Sequence, residues 1–373
     1  MKKAIIEYVQ YYDLDGENKT IGGIQTYIMN LAELLSNSGF EVFIIQPAKK
    51  QFLIKENQYN IIGVECKSFN FSSMSKTLIK EAEHLFDVNN DLLIFGSSVL
   101  CRKTDFKKVI SIQHGIYWDL PWIKNKRNLC DVFTVFLRSI QALKELRRGK
   151  NANTVVCVDY NYINWYRCQT VNRNINLCSI PNFVDIKGNV DKKNIDNNKI
   201  EILFARRLEE LRGSKLIEGV MPEILDKYPN VYFTIAGTGT EENNLREQFN
   251  LFQERVKFTT YSAEESIHFH SNFDIALIPS IGSEGTSLSL LEAMWAGCAV
   301  ICTNVGGMTN IVLDGFNGIM VSPDTKQLKN AIETLIKCKE KRIMFSNNAK
   351  KTIESSFSKE IWDQRWREVL KNF

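Results

Sequence analysis

Short apolar runs alternate along this chain with longer segments whose apolar residues recur every three or four positions. A run rich in Ile, Val and Leu and bounded by turn residues reads as a buried strand, and the longer pattern as an amphipathic helix. In the first half the strand pattern falls at 3–9, 41–46, 92–95, 109–113, 154–158 and 177–180. Helical periodicity lies between, as at 24–36, with Gly39 just beyond as a stop. In the second half strands fall at 200–204, 231–236, 256–260, 275–278, 299–303 and 318–321. This β-α-β rhythm, run twice, predicts an α/β protein with two doubly wound, Rossmann-like parallel sheets. Pro181-Asn-Phe-Val-Asp185 and the polar run 187–198 mark the junction. The expected domains are therefore 1–180 and 181–356. Residues 357–373, with Ile361-Trp-Asp-Gln-Arg-Trp, read as an amphipathic helix packing back on the first domain.

A length of 373 residues suits two domains, and 44% hydrophobic with 24% charged residues suits a globular chain. No run approaches the ~18 apolar residues of a membrane span. Glu7 cuts the first apolar run too short for a signal peptide, so a cytoplasmic protein is expected. Nine cysteines, an odd number with no CxxC pair, argue against a disulfide framework. The four histidines form no metal-like cluster, and His268 and His270 read as structural. The formal charge of +4 is unevenly spread: residues 101–150 hold twelve Lys and Arg against four acids. Tyr117, Trp118, Trp122 and Phe136 lie among them, a composition for an acidic lipid surface as well as for a solvated basic face.

The candidate chemistry centres on Ser283-Glu-Gly-Thr-Ser-Leu-Ser-Leu-Leu-Glu-Ala-Met-Trp-Ala-Gly297 between two strand runs. Glu284 and Glu292 are eight residues apart, about two helical turns, which would put both acids on one side of a helix. Between them the first-turn amides of Thr286, Ser287 and Leu288 would face an anion. The other reading is a plain N-cap with a surface acid, but Glu292 has apolar neighbours on both sides. Gly22-Gly23 opens the first helix and lets a ligand approach the backbone. Arg207 and Arg212, off the first strand of the second domain, suit phosphate oxygens, with Glu209 and Glu210 as alternative ion-pair partners. Arg206 reads either way, solvent included. Gly237 and Gly239 form a tight turn near a nucleotide base; Glu242, where a third glycine would stand, excludes a nicotinamide fingerprint. His114 ends the strand at 109–113, as a cleft residue or a structural one.

These motifs, in this order and over nearly the whole chain, resemble retaining glycosyltransferases of family 4 (glycosyl transferases group 1), which have the GT-B fold of two Rossmann-like domains facing across a cleft. The resemblance is carried by Gly22-Gly23, His114-Gly115, Pro181-Asn182, Arg207-Leu208 with Arg212-Gly213, Gly237-Thr238-Gly239, Pro279-Ser280 with Glu284 and Glu292, and Val305-Gly306-Gly307. Arg212 stands where the family usually has Lys, Asn310 where an acid often follows the Gly-Gly pair, and Asn182-Phe183 where Asn-Gly is usual. The resemblance implies transfer of a sugar from a nucleotide diphosphate sugar (UDP, GDP or dTDP type) to a glycan or lipid-linked acceptor in surface polysaccharide synthesis. It implies ribose binding by Glu292, diphosphate binding at Thr286–Leu288, Arg207 and Arg212 on the leaving group, Glu284 on the donor sugar, and His114 near donor or acceptor. Gly22 and Gly23 would line the cleft opposite the phosphate. No metal cofactor is implied, and no nucleic-acid partner. The alternatives are a GT-B epimerase and an inactive transferase-like binding partner.

Overall fold

The computed structural model describes residues 2–20, 22–116, 118, 130–170, 175–186, 198–282 and 284–373, with 130–132 as backbone. The chain divides into two compact units. One comprises Met1–His114, Asn125–Ile180 and Arg365–Phe373; the other comprises Gly115–Lys124 and Pro181–Gln364.

The first unit is built on strands β1 (Lys3–Glu7), β2 (Glu41–Ala48), β3 (Phe52–Lys55), β4 (Asn60–Glu65), β5 (Leu92–Phe95), β6 (Lys108–Gln113), β7 (Thr154–Cys157) and β8 (Asn176–Ser179). Their order in the sheet is β3-β4-β2-β1-β5-β6-β7-β8. The apolar run of β5 is buried at all four positions, as a parallel strand covered on both faces requires. Helices α1 (Gly23–Asn37), α2 (Phe71–Leu85), α3 (Cys130–Gly149) and α4 (Tyr160–Gln169) connect the strands. Asn70 caps α2 by accepting the Ser73 amide at 2.9 Å. Two strands differ from the sequence reading. β3 and β4 occupy 52–65, where no strand is expected, and β3 runs antiparallel to β4, so this sheet is not wholly parallel.

The second unit holds β9 (Ile200–Ala205), β10 (Val231–Ala236), β11 (Val256–Thr259), β12 (Ile275–Ile278), β13 (Ala299–Thr303) and β14 (Ile319–Val321), all parallel, in the order β11-β10-β9-β12-β13-β14. Its helices are α5 (Ser214–Lys227), α6 (Glu242–Gln248), α7 (Ser266–His270), α8 (Leu288–Trp295), α9 (Thr325–Lys337) and α10 (Lys339–Ser356). One apolar cluster packs Ile217, Met221 and Ile224 of α5 and Leu328 and Ile332 of α9 onto β9, β10 and β13; another packs α8 and α10 around Val300 and Cys302. The last helix, α11 (Lys359–Leu370), joins the first unit from Arg365 onward. There Trp366 is wholly buried, and its indole N–H donates to the Tyr27 hydroxyl at 3.0 Å.

In each sheet the strand order reverses at one place: between β1 and β5 in the first unit, and between β9 and β12 in the second. Beyond the carboxyl ends of the strands at such a reversal the flanking connections diverge and leave a crevice. Most of the candidate residues follow such strand ends: Gly22 and Gly23 come after β1, and Arg207, Arg212 and Glu284 after β9 and β12.

Candidate active site

In the second unit, β9 runs into Arg206 and β12 into Pro279-Ser280. Glu284 lies in the loop between β12 and α8, with its side chain buried. A single carboxylate oxygen, Oε1, collects three donors: Arg206 Nη2 at 2.5 Å, Arg212 Nη1, and Ser280 Oγ at 2.6 Å. Ser280 is itself fixed, its carbonyl accepting the Thr303 hydroxyl from β13. Burial pushes the Glu284 carboxyl upward, but Arg206, Arg212 and Ser280 outweigh it, and the net shift is below the usual carboxylate range. Glu284 is therefore ionised at neutral pH.

Backbone packing makes this arrangement possible. The Glu284 carbonyl accepts the Gly307 amide at 3.0 Å, and a Cβ at Gly306 would lie 2.1 Å from that same oxygen. Gly306 has φ +54°, and a Cβ at Gly115, with φ +106°, would come within 3.0 Å of the Gly285 backbone. Only glycine lets these segments close on the glutamate loop. On the other side, Gly237 and Gly239 press on the arginine segment. Added Cβ atoms there would stand 2.1 Å from the Arg206 carbonyl and 2.3 Å from the Leu208 carbonyl. The tight turn at 237–239 thus seats the arginines.

The two adjacent arginines reverse the sequence reading. The amides of Arg206 and Leu208 bond the carbonyls of Ala236 and Thr238, so this stretch continues the strand alternation. Leu208 and Arg206 face inward, and Arg207 faces out, 66% exposed and 3.4 Å from Glu209. Arg206, which the sequence left as a solvent candidate, is the one beside Glu284. Burial lowers the Arg206 pKa, with Glu284 opposing the shift. A guanidinium nonetheless stays charged.

The glutamate pair also differs from the helical expectation. Helix α8 begins at Leu288 with Ser287 as its cap, so Glu284 is four residues outside it and the eight-residue periodicity does not relate the two acids. Thr286 precedes the cap rather than lying in the first turn, and its carbonyl accepts Asn182 Nδ2 at 2.7 Å. Among the described residues, the Ser287 side chain makes no capping bond to the first amides of α8. Glu292 is on α8, half-buried, and among the described residues its carboxylate has no hydrogen bond or ion pair. Its charge reaches two neighbours, the half-buried Tyr261 and the buried His270. Burial and Glu292 raise the Tyr261 hydroxyl, whereas at His270 burial wins over Glu292 and lowers the ring. His270 Nδ1 donates to the Ser266 carbonyl at 2.7 Å. Ser283 lies outside the described residues.

The remaining candidates belong to the first unit. His114 follows β6, and its Nε2 donates to the Gly96 carbonyl at 2.9 Å, which leaves Nδ1 as the acceptor. Its ring packs edge-on against Tyr27, centroids 5.2 Å apart. Burial lowers its pKa to about 4 despite that hydrogen bond, so the ring is neutral. Gly22 caps α1 in an extended conformation (φ 172°) that any residue adopts, and Gly23 begins the helix. A Cβ at Gly22 would meet only the flexible Gln25 side chain, so this pair serves to keep the backbone bare rather than to permit a turn. Among the described residues no group of three or more His, Cys, Asp or Glu is placed to hold a metal ion. Sequence reasoning gave no role to Arg206, Ser280 or Gly306; inward alternation at the end of β9 was the available signal for the first.

The profile of the glycosyl transferases group 1 family matches residues 185–352, which contain Glu284, Glu292 and all three arginines. Over this stretch the chain matches the group 1 glycosyltransferases. It is similar to a phosphatidyl-myo-inositol mannosyltransferase of Mycolicibacterium smegmatis, at 24% identity over 81% of this chain and 78% of the relative. Its fold is GT-B. A sucrose-phosphate synthase from Thermosynechococcus elongatus superposes with a TM-score of 0.78 at 16% identity, covering 100% of this chain and 99% of the other. Anabaena HepE, solved in complex with UDP, superposes with a TM-score of 0.70 at 15% identity, covering both chains fully.

Proposed function

We propose that this glycosyltransferase takes a sugar from a nucleoside diphosphate sugar and transfers it, with retention of anomeric configuration, to a glycan or lipid-linked acceptor of a cell-surface polysaccharide. The observation that carries this reading is the buried Glu284, held by two guanidiniums and a serine beyond β9 and β12, beside the amide end of α8. That site offers fixed positive charge where a diphosphate leaves, and it needs no metal to supply it. The solved relative with UDP supports a nucleotide donor.

In the proposed roles, Glu292 takes the ribose hydroxyls with its unpaired carboxylate. The Ser287 and Leu288 amides and Arg212 take the diphosphate. Glu284 orients the donor sugar. The sugar–phosphate bond breaks with both electrons leaving on the diphosphate oxygen. The acceptor hydroxyl forms the new bond on the same face and gives its proton to that departing phosphate. His114, neutral and held by Gly96, presents Nδ1 as a hydrogen-bond acceptor to donor or acceptor hydroxyls.

The reading includes a lipid surface at the cytoplasmic face of the membrane. On α3, Phe133, Phe136, Leu137 and Leu143 are exposed along one side, with Lys144 and Arg147 among them. Such a face suits an anionic bilayer. Of the other residues in that expectation, Tyr117, Trp122, Lys124, Lys126 and Arg127 lie outside the described residues. No described helix is long and apolar enough to cross a membrane.

The test is a panel of UDP-, GDP- and dTDP-sugars, read by thermal shift for binding and by NMR for the product anomer. Retained configuration with an acceptor present supports the reading. An inverted product, or conversion of the donor with no acceptor, overturns it. Co-sedimentation with anionic vesicles that F136D/L143D leaves unchanged overturns the membrane part.

A further inference from the structure

Between β12 and α8 the chain passes through Thr286 and Ser287, both buried, before the helix begins at Leu288. The Thr286 carbonyl accepts Asn182 Nδ2 at 2.7 Å, from a segment 104 residues earlier in the chain. Only the amino end of an Asn amide can donate to a carbonyl oxygen, so this bond fixes which way the side chain lies. It fixes the backbone as well. The peptide joining Thr286 to Ser287 is planar and trans, so its N–H points opposite to its C=O. A donor that holds the Thr286 carbonyl on one side therefore directs the Ser287 N–H to the other, away from Asn182. Rotation of this peptide would break the bond and turn a carbonyl toward the place the N–H faces.

The segment that carries Asn182 is itself fastened. Pro181 precedes it, with φ locked by its ring. The Phe183 ring lies 4.7 Å from that of Trp362, and the Lys359 ammonium stands over the two rings at 5.5 and 5.7 Å. The Val184 amide donates to the Phe357 carbonyl at 2.9 Å, and the Val184 carbonyl accepts the Lys359 amide at 3.1 Å. Residues 181–184 thus form a bracket pinned to 357–362, and Asn182 reaches from it to the loop of Glu284. A backbone N–H held in this way is aimed before any ligand arrives, as a donor to developing negative charge has to be.

We infer that Asn182 is a positioning residue for sugar transfer: by holding the Thr286 carbonyl it aims the Ser287 N–H at the donor's diphosphate. The inference rests on the nucleotide-sugar reading above and adds to it a residue that acts only through the Thr286–Ser287 peptide. Its loss is felt at the phosphate end of the donor and not at the nucleoside, whose ribose is assigned to Glu292.

The experiment measures binding of UDP, GDP and dTDP to the full chain by calorimetry, with the corresponding nucleosides as phosphate-free controls. N182D keeps the side-chain shape but sets a second acceptor against the Thr286 carbonyl. For the diphosphate that the wild type binds, it weakens affinity at least fivefold and leaves nucleoside affinity within twofold. N182S is uncharged and too short to reach the carbonyl; it weakens diphosphate binding at least threefold and carries the test if N182D does not fold. N348D removes the same kind of bond elsewhere in the second unit, from Asn348 Nδ2 to the Phe316 carbonyl at 2.8 Å, and changes neither affinity. Diphosphate affinity unchanged in N182S or in a folded N182D, nucleoside affinity falling in step with it, or an equal loss in N348D overturns the assignment and leaves the transferase reading standing. A wild type that binds none of the three diphosphates overturns the nucleotide-sugar reading and this inference with it.

Discussion

Replacing Gly306 by alanine tests whether the backbone around Glu284 is as tightly closed as the geometry says. The new Cβ would stand 2.1 Å from the Glu284 carbonyl oxygen and 2.9 Å from its carbon. Neither is the end of a flexible side chain, so the two segments must part by roughly 1 Å to reach ordinary contact. The residue also has φ +54°, a left-handed conformation costing a non-glycine residue about 1 kcal/mol. Overpacking of this kind adds about 1–3 kcal/mol. The sum, about 2–4 kcal/mol, corresponds to a fall in Tm on the order of 10 °C for a domain of this size. Moving the loop that carries Glu284 by that distance should slow transfer on the order of 100-fold. Gly315→Ala is the matched control. Gly315 has φ +74° and nothing within 4 Å of an added Cβ, so it bears the conformational cost alone and keeps full activity. Differential scanning fluorimetry and a donor-turnover assay read both variants. If the two lose the same few degrees, or if Gly306→Ala transfers sugar at the wild-type rate, the closed-loop reasoning is wrong.

Two further predictions follow from the charged groups. Glu284→Gln removes the charged oxygen that Arg206 and Arg212 share and should lower stability by about 3 kcal/mol and abolish measurable transfer; urea unfolding and the turnover assay check both. Because the native Glu284 pKa is depressed, its contribution to stability is complete above the ordinary carboxylate range and is lost as pH falls below it. The Tm of Glu284→Gln should therefore decline less than that of the wild type below about pH 4. His114 behaves as a group kept neutral: its pKa of about 4 lies below the ordinary value of about 6.5, so the stability it supports is whole above pH ~6.5 and drains away between there and about 4. An NMR titration placing its midpoint near 6.5 would contradict the half-buried, Gly96-bonded ring.

What the sequence displayed and what it hid divide along local and non-local lines. The runs at 92–95 and 275–278 are buried on both faces, and burial of that kind leaves an unbroken apolar signature. β4 left a weaker one because Gly63 interrupts it. That glycine exists for a partner on another strand: Phe52 of β3 lies across the antiparallel pair, 2.3 Å from where a Cβ would be. A glycine read alone marks a break, and only the pairing shows it as a seat for a ring. The two arginines present the same problem. Their adjacency is visible, but which faces inward depends on amides bonded to the 236–238 segment thirty residues away. Glu284 and Glu292 share a spacing that mimics two helical turns, yet α8 starts only at Leu288. Residue types therefore located the chemistry at this site, whereas long-range backbone contacts set the direction of each side chain.

The indole of Trp366, bonded to Tyr27, bears on how this protein can be dissected. The last nine residues belong with the first unit, although 184 residues of the second separate them from Ile180. A fragment ending at Ile180 would uncover the side of α1 where Tyr27 lies and strip the Tyr27 hydroxyl of its donor. His114, edge-on to that same ring, would then lose its neighbour's support as well. The first unit is a split domain interrupted by the second, so it cannot close until residues 365–373 have been made. A soluble stand-in for it would need residues 365–373 supplied in trans or joined directly to residue 180.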